Sequence, residues 1–258
     1  MKSVVFYFLI LLSNTFLSAK NYNAIDIMQR VNSSSKPNSS ISEIELEIVK
    51  KKHNKIKSKS RSFLRYEKRY TTGEYKKKSL VKFLKPNSIS GTSLLSWIKN
   101  NGSSEQWFYI PKLNVSKKVK SKERSKSFMS TDFIYEDLET RHISDDVYSI
   151  ERKSKVGDND CIVILSKPIK ESYYQYKKIF VDEKIWQIRK VEFYSSEKGL
   201  IKTLFLKEIM QKGQYWFPSV MEMITINGNY TNMKIVGFKP GVLLDDEIFT
   251  ESFLENMD

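Results

Sequence analysis

Apolar and polar residues alternate along most of this chain. Ile44, Leu46 and Ile48 are interleaved with Glu43, Glu45 and Glu47, giving one apolar and one acidic face. A period of two marks a half-exposed strand. Strand-like segments follow at 60–71 and 75–84, joined by Thr72-Gly73-Glu74. Trp97 and Trp107 flank Asn100-Asn101-Gly102, a hairpin pattern. Further strands are expected near 146–154, 160–166, 173–182, 185–194, 200–211, 214–226 and 230–238. Gly157-Asp158-Asn159-Asp160, Glu197-Lys198-Gly199 and Asn227-Gly228-Asn229 supply turns between them. Helical spacing occurs at Ile25, Met28 and Val31, and again at Ile248, Phe249 and Phe253 behind an acidic first turn. Between 111 and 143 the alternation stops. Pro111 to Lys126 is basic and irregular, and Thr131 or Asp132 is placed to cap a short helix carrying Phe133, Ile134 and Leu138.

About ten or eleven meandering strands with two or three short helices predict a mainly β fold (α+β). Such a sheet curls and needs a cover, which the helices provide. No Pro-rich linker, repeat or composition break divides the chain, so residues 20–258 are expected to form a single domain.

Residues 1–19 follow a different pattern. Lys2 is followed by an apolar run, Val4 to Leu12, and a more polar tail ending at Ala19. This is the layout of a cleaved secretory signal peptide, with an uncleaved anchor as the competing reading. No Cys follows the apolar run, and no later segment is long and apolar enough for a membrane helix. The single Cys161 lies in Cys161-Ile162-Val163-Ile164-Leu165 and is expected to be a small buried hydrophobe.

The net charge of +14 does not by itself point to nucleic acid, because 36 of the 44 basic residues are Lys and only 8 are Arg. Planar bidentate phosphate recognition favours Arg. The densest basic run, Lys50-Lys51-Lys52-His53-Asn54-Lys55-Ile56-Lys57, is expected to be a hairpin connection with solvated charges. The alternative for this run is a patch for anionic lipid or an acidic partner.

Candidate chemistry is sparse. His53 and His142 have no second ligand at helical spacing, so no metal is expected. There is no Gly-x-Ser-x-Gly elbow and no Gly-rich phosphate loop, and the acidic pairs suit turns and helix starts. Apolar surface is abundant, however. Trp107 and Tyr109 share one strand face while Phe108 and Ile110 share the other, so that strand should be covered on both sides. Phe128, Met129 and Phe133 stand in the irregular insert, where a monomer would not usually place large apolar groups.

These residues fall into a recognisable order. Leu80-Val81-Lys82-Phe83-Leu84-Lys85-Pro86 is followed by Gly91-Thr92, Trp97, Gln106-Trp107 and Tyr109-Ile110-Pro111. Then come Ser127-Phe128-Met129, Asp132-Phe133, Tyr135-Glu136-Asp137-Leu138, Tyr215-Trp216-Phe217-Pro218 and Met221-Glu222-Met223. Over about residues 42–254 the chain resembles the outer-membrane lipoprotein-sorting proteins, relatives of the carrier LolA. The resemblance implies a LolA/LolB-like half-barrel over helices, with a hydrophobic cavity. It also implies a non-enzymatic periplasmic carrier of lipoprotein acyl chains or lipids, with no cofactor. Its partners would be an inner-membrane exporter and an outer-membrane acceptor, not nucleic acid, and the carrier itself would be a monomer.

On that basis Phe83, Leu95, Trp97, Trp107, Tyr109, Phe128, Met129, Phe133 and Leu138 are the candidate wall or lid residues, with either strand face open as the cavity side. Ser130 departs from the family pattern, standing where Gly is usual. The alternative function is a periplasmic sensing or adaptor module that binds a membrane protein. A lipid-modifying hydrolase would lack a nucleophile.

Overall fold

The computed structural model describes residues 22–52, 55–120, 123–138 and 141–255. The expected signal peptide and His53 lie outside the described residues.

Thirteen antiparallel strands form one sheet among the described residues. They are β1 (Ser39–Lys52), β2 (Lys55–Arg69), β3 (Tyr75–Lys85), β4 (Ser93–Lys99), β5 (Ser104–Ile110) and β6 (Val115–Lys118), then β7 (Asp146–Val156), β8 (Asn159–Pro168) and β9 (Tyr176–Asp182). The last four are β10 (Ile188–Ser195), β11 (Gly199–Lys212), β12 (Tyr215–Thr225) and β13 (Tyr230–Pro240). Their spatial order is β6-β5-β4-β3-β2-β1-β13-β12-β11-β10-β9-β8-β7. Two meanders are thus joined where β1 pairs with β13, and β6 and β7 are left as edges.

The strand count exceeds the ten or eleven expected. One unexpected strand is β6, which lies inside the basic insert. There the pairs Ile110↔Val115 and Trp107↔Lys118 extend the sheet although the side chains carry no alternating apolar signal. Backbone pairing with a neighbouring strand outweighs side-chain pattern at such an edge.

Each face of the sheet has its own cover. On one face lie α1 (Ala24–Ser33) and the described parts of the connection between β6 and β7 (119–120, 123–138 and 141–145), called the strap here. Asn23 caps α1, its side chain accepting from the Asp26 amide at 2.9 Å. Ala24, Ile27 and Met28 pack on Ile164, Ile179, Val181, Val191, Phe193 and Met223. The expected helix at 131–138 is instead a single 3-10 turn, Tyr135–Leu138, with another at Phe128–Ser130 just before it. Asp132 leaves the capping role because its carboxylate is drawn into the sheet, as described below.

On the opposite face the tail after β13 covers Leu80, Leu95, Trp107 and Tyr109 with Leu244, Phe249 and Leu254. The Trp97 indole donates to the Phe249 carbonyl at 2.8 Å. The helical spacing expected in this tail appears as a 3-10 turn, Glu247–Phe249, and the short α2, Glu251–Glu255.

The sheet curls enough to bring its two flanks together. Gly102, in the β4–β5 turn with φ +85°, sits so close to His142 that a Cβ there would lie 2.6 Å from the His142 Cβ. Only glycine fits both that backbone and that contact. His142 immediately precedes the opposite edge strand, so the curl closes around the strap.

Phe249 is fully buried between the tail and the sheet. Phe249→Ala is expected to cost about 3–5 kcal/mol, seen as a lower urea midpoint. Because Phe249 anchors the tail, early proteolytic loss of residues after 241 should accompany the change.

Candidate functional site

The strap is held by buried charge. Asp132 accepts from Lys50 Nζ at 2.6 Å and from the Thr231 hydroxyl at 2.8 Å, and the Asp132 amide donates to that hydroxyl at 2.9 Å. Asp137 accepts from Lys202 Nζ at 2.5 Å, from the Tyr174 hydroxyl at 2.7 Å and from the Ile134 amide at 2.8 Å. Lys202 also donates to the Asp132 carbonyl at 3.1 Å. Burial lowers the Lys202 pKa from its ordinary value, against the pull of Asp137. Burial, reinforced by Asp137, pushes the Tyr174 phenol far up.

These bonds reach β1, β13 and β11, so the strap is tied to the middle of the sheet from both sides. The Arg61 guanidinium on β2 adds a bond to the Met129 carbonyl. Lys50, expected among the solvated charges of a turn, is instead one of the pins. Buried pairs of this kind are costly to form, but breaking one by removing a partner typically costs 3–5 kcal/mol.

The nine predicted residues separate across the sheet. Phe83 is fully buried on the strap face, where Phe128 packs 6.1 Å from it between ring centroids and Met129 and Leu138 border the same cluster. Phe133 joins the α1 cluster. Leu95, Trp97, Trp107 and Tyr109 lie on the other face beneath the tail, with the two indole rings 4.5 Å apart. A cleft of about 970 Å³ opens beside the middle of β1 and β2 and the end of β3, and is lined by Glu43, Glu45, Glu47, Ser60, Arg61, Ser62 and Pro86–Ser88 among others. None of the nine lines it.

Two features of the strap face were not anticipated. The first is an apolar strip on β11–β13. The pairs Leu206↔Met221 and Met221↔Met233 place these side chains on one face, and Ile235 faces Ile44 of the strap-side core. Phe217 and Phe238 continue the strip, with centroids 4.4 Å apart. Leu206, Phe217, Met221, Ile235 and Phe238 are all half-buried. Met233 and Ile235 also pack on the cluster that holds Phe128 and Met129, so the strip begins where the strap ends. Its sequence signal was the alternation in Met221-Glu222-Met223.

The second is a polar row. Cross-strand pairs Ser40↔Glu67, Glu67↔Ser79, Ser79↔Ser96 and Ser96↔Gln106 run across five strands. Around Glu67 stand Arg65 Nη2 at 2.5 Å, Arg69 Nη2 at 2.9 Å and Lys77 Nζ at 3.5 Å. Burial alone would push the Glu67 carboxyl up, but Arg65, Lys77 and Arg69 together hold it at about 2. Lys77 is pushed down to about 8 by burial and by the two arginines, against the pull of Glu67.

A curled antiparallel sheet closed around a helix and a pinned crossing segment defines a LolA-like fold. An outer membrane lipoprotein-sorting domain from Vibrio parahaemolyticus superposes with TM-score 0.82 and 25% identity, over 90% of this chain and 98% of that one. A DUF1329 family protein from Desulfovibrio piger matches at TM-score 0.82 and 22% identity, over 89% and 97%. A LolA superfamily protein from Nitrosomonas europaea matches at 0.68 and 19%, over 90% and 100%. The last two are likenesses of fold. No curated protein matches the chain. A family model described as an uncharacterized protein matches residues 75–256. The chain belongs to that family, and its fold is that of the LolA-like proteins.

Met129 and Ser130 have φ of +49° and +62°. Left-handed backbone explains why Gly is usual at the second position, and Ser130→Gly should stabilise the fold by about 0.5–1 kcal/mol in thermal or urea unfolding. The low Glu67 pKa contributes stability that is fully present above about pH 4.5 and lost as pH falls towards 2. The stability gap between wild type and Glu67→Gln, read from urea midpoints, should therefore be widest above pH 4.5 and close as the pH approaches 2. Lys77 works oppositely: its depressed pKa costs stability below about pH 8, and that cost is relieved as pH rises from 8 towards 10.5.

Proposed function

We propose that the protein is a non-enzymatic periplasmic carrier that holds acyl chains of lipoproteins or lipids and passes them towards the outer membrane. The half-buried strip of Leu206, Phe217, Met221, Ile235 and Phe238 beside the strap carries this reading. A monomeric sheet that buries its core elsewhere has no packing reason to leave this much apolar surface contiguous and half open. Methionine suits a surface that meets chains of varied shape.

The likeness to a lipoprotein-sorting domain supports the reading. Among the described residues no group of three or more His, Cys, Asp or Glu is arranged to hold a metal. Burial of a CH₂ is worth ~0.8 kcal/mol, so a sixteen-carbon chain offers roughly 12 kcal/mol before ordering costs. Exposed ion pairs, at about 1 kcal/mol or less each, do not compete with this. Cargo is therefore retained by apolar contact, and charge selects or orients it.

The strip, not the nine residues read from the sequence, is the first place to test. The protein should bind a fluorescent fatty-acyl probe in titration, and Met221→Asp should weaken binding at least about tenfold, or about 1.4 kcal/mol. Circular dichroism melting should confirm that the variant remains folded. Failure of the wild-type protein to bind any acyl probe, or equal binding by the folded variant, would overturn the reading.

A further inference from the structure

Among the described residues, the polar row on the strap face makes no side-chain hydrogen bonds within the chain at Ser40, Ser79, Ser96 and Gln106. Ser40, Ser79 and Ser96 are each 8% exposed and Gln106 is 4% exposed. Most buried polar side chains are satisfied by protein or by ordered solvent. None of the polar atoms of these four side chains is among the fully buried ones that lack a partner, so each still opens to solvent and can meet hydrogen-bonding groups from outside the chain.

Charge gives the identity of those groups. Three cations, Arg65, Arg69 and Lys77, converge on the single carboxylate of Glu67. The buried Nε of Arg69 has no partner at all. Arg65 is 40% exposed and so opens the cluster to solvent. Lys36, on the loop after α1, adds a further positive charge within electrostatic reach of Glu67 and Arg69. Even with Lys77 set aside, two guanidinium groups and Lys36 stand against one carboxylate, so the cluster is short of anionic charge. Guanidinium groups and hydroxyl donors together suit a phosphate, which offers several acceptor oxygens.

The neighbours decide whether that phosphate is free or tethered. Arg65 faces Ser42 on β1, and Ser42 faces Phe238 on β13. Neighbouring strands are about 4.8 Å apart, which puts the edge of the apolar strip roughly 10 Å from the arginine on the same face. We infer that the strap face recognises an anionic amphiphile, its phosphate held by Arg65, Arg69 and the two serines that flank Glu67, Ser40 and Ser79, and its acyl chain laid on the Phe238–Met221 strip. The inference rests on the carrier reading for the tail and adds the headgroup. Glu67 holds Arg65 and Arg69 together at this spot.

Calorimetric titration of the protein with three probes tests this: 1-oleoyl lysophosphatidate, 1-oleoylglycerol and inorganic phosphate. The first two share a tail and differ in the phosphate. The expected result is at least about tenfold tighter binding of lysophosphatidate than of oleoylglycerol. Arg65→Gln and Ser79→Ala should each shrink that ratio to about twofold while leaving oleoylglycerol binding unchanged. A role confined to folding would alter melting and both affinities together, and would overturn the inference.

Equal binding of the two oleoyl probes by the wild-type protein would also overturn the headgroup site while leaving the carrier reading intact. Binding of lysophosphatidate and inorganic phosphate with equal affinity, and no binding of oleoylglycerol, would support the anion site. It would also assign the site to a free phosphate and remove the carrier reading. If none of the three binds, both fall.

Discussion

Two carboxylates on the strap bear most of the architecture. Asp132 and Asp137 draw bonds from β1, β13, β11 and the loop before β9, and so tie both flanks of a thirteen-stranded sheet to one crossing segment. Thirteen antiparallel strands curl of their own accord, and the strap fixes where that curl closes. Once the strap is fixed, Phe128 reaches Phe83, α1 has a floor to pack on, and the β4–β5 turn meets His142. Apolar packing supplies the bulk of the stability, but the ion pairs set where the packing occurs. This is a positional role for buried charge rather than a net energetic one.

The separation of apolar from charged functions on the strap face follows from the same arrangement. Near the strap the side chains are interlocked and there is little room for a guest. Away from it, on β11–β13, the strip stays half open, and towards the other end of β1–β5 the face turns polar. A ligand with a long apolar part and a compact charged part would find both requirements on a single surface without passing through the core. In this picture the strap borders the site; it does not fill it.

Much of the fold was legible because strands announce themselves by alternation. Ile44, Leu46 and Ile48 point to the strap side and Glu43, Glu45 and Glu47 away, as their spacing required. The two-sided apolar strand at Trp107 to Ile110 is covered on both faces, by the strap side and by the tail. The strand β6 was hidden because Val115-Ser116-Lys117-Lys118 owes its conformation to a neighbour's backbone. Asp132 was taken for a helix cap because a local rule cannot see Thr231, ninety-nine residues away in sequence. The site was harder still. A sequence gives the parity of each strand but not which parity faces inward, so Trp97, Trp107 and Tyr109 joined Phe83 in one list although they lie on opposite faces. The polar row was invisible for another reason: Ser40 and Gln106 acquire meaning only once β1 to β5 are set side by side.

The pairing of β1 with β13 also shapes how the molecule must assemble. Each meander can zip up from local hairpins as it leaves the ribosome or a translocation pore, but the seam between them waits for the final strand. Loop-closure entropy for that seam is paid across nearly the whole chain, which makes it a slow, late event. Until it closes, the long edge of β1, with Ile44, Leu46 and Ile48 on one face, stays unpaired on one side. Such an edge is an invitation to aggregation, and a holding chaperone that shields it would shorten the list of ways the nascent protein can go astray.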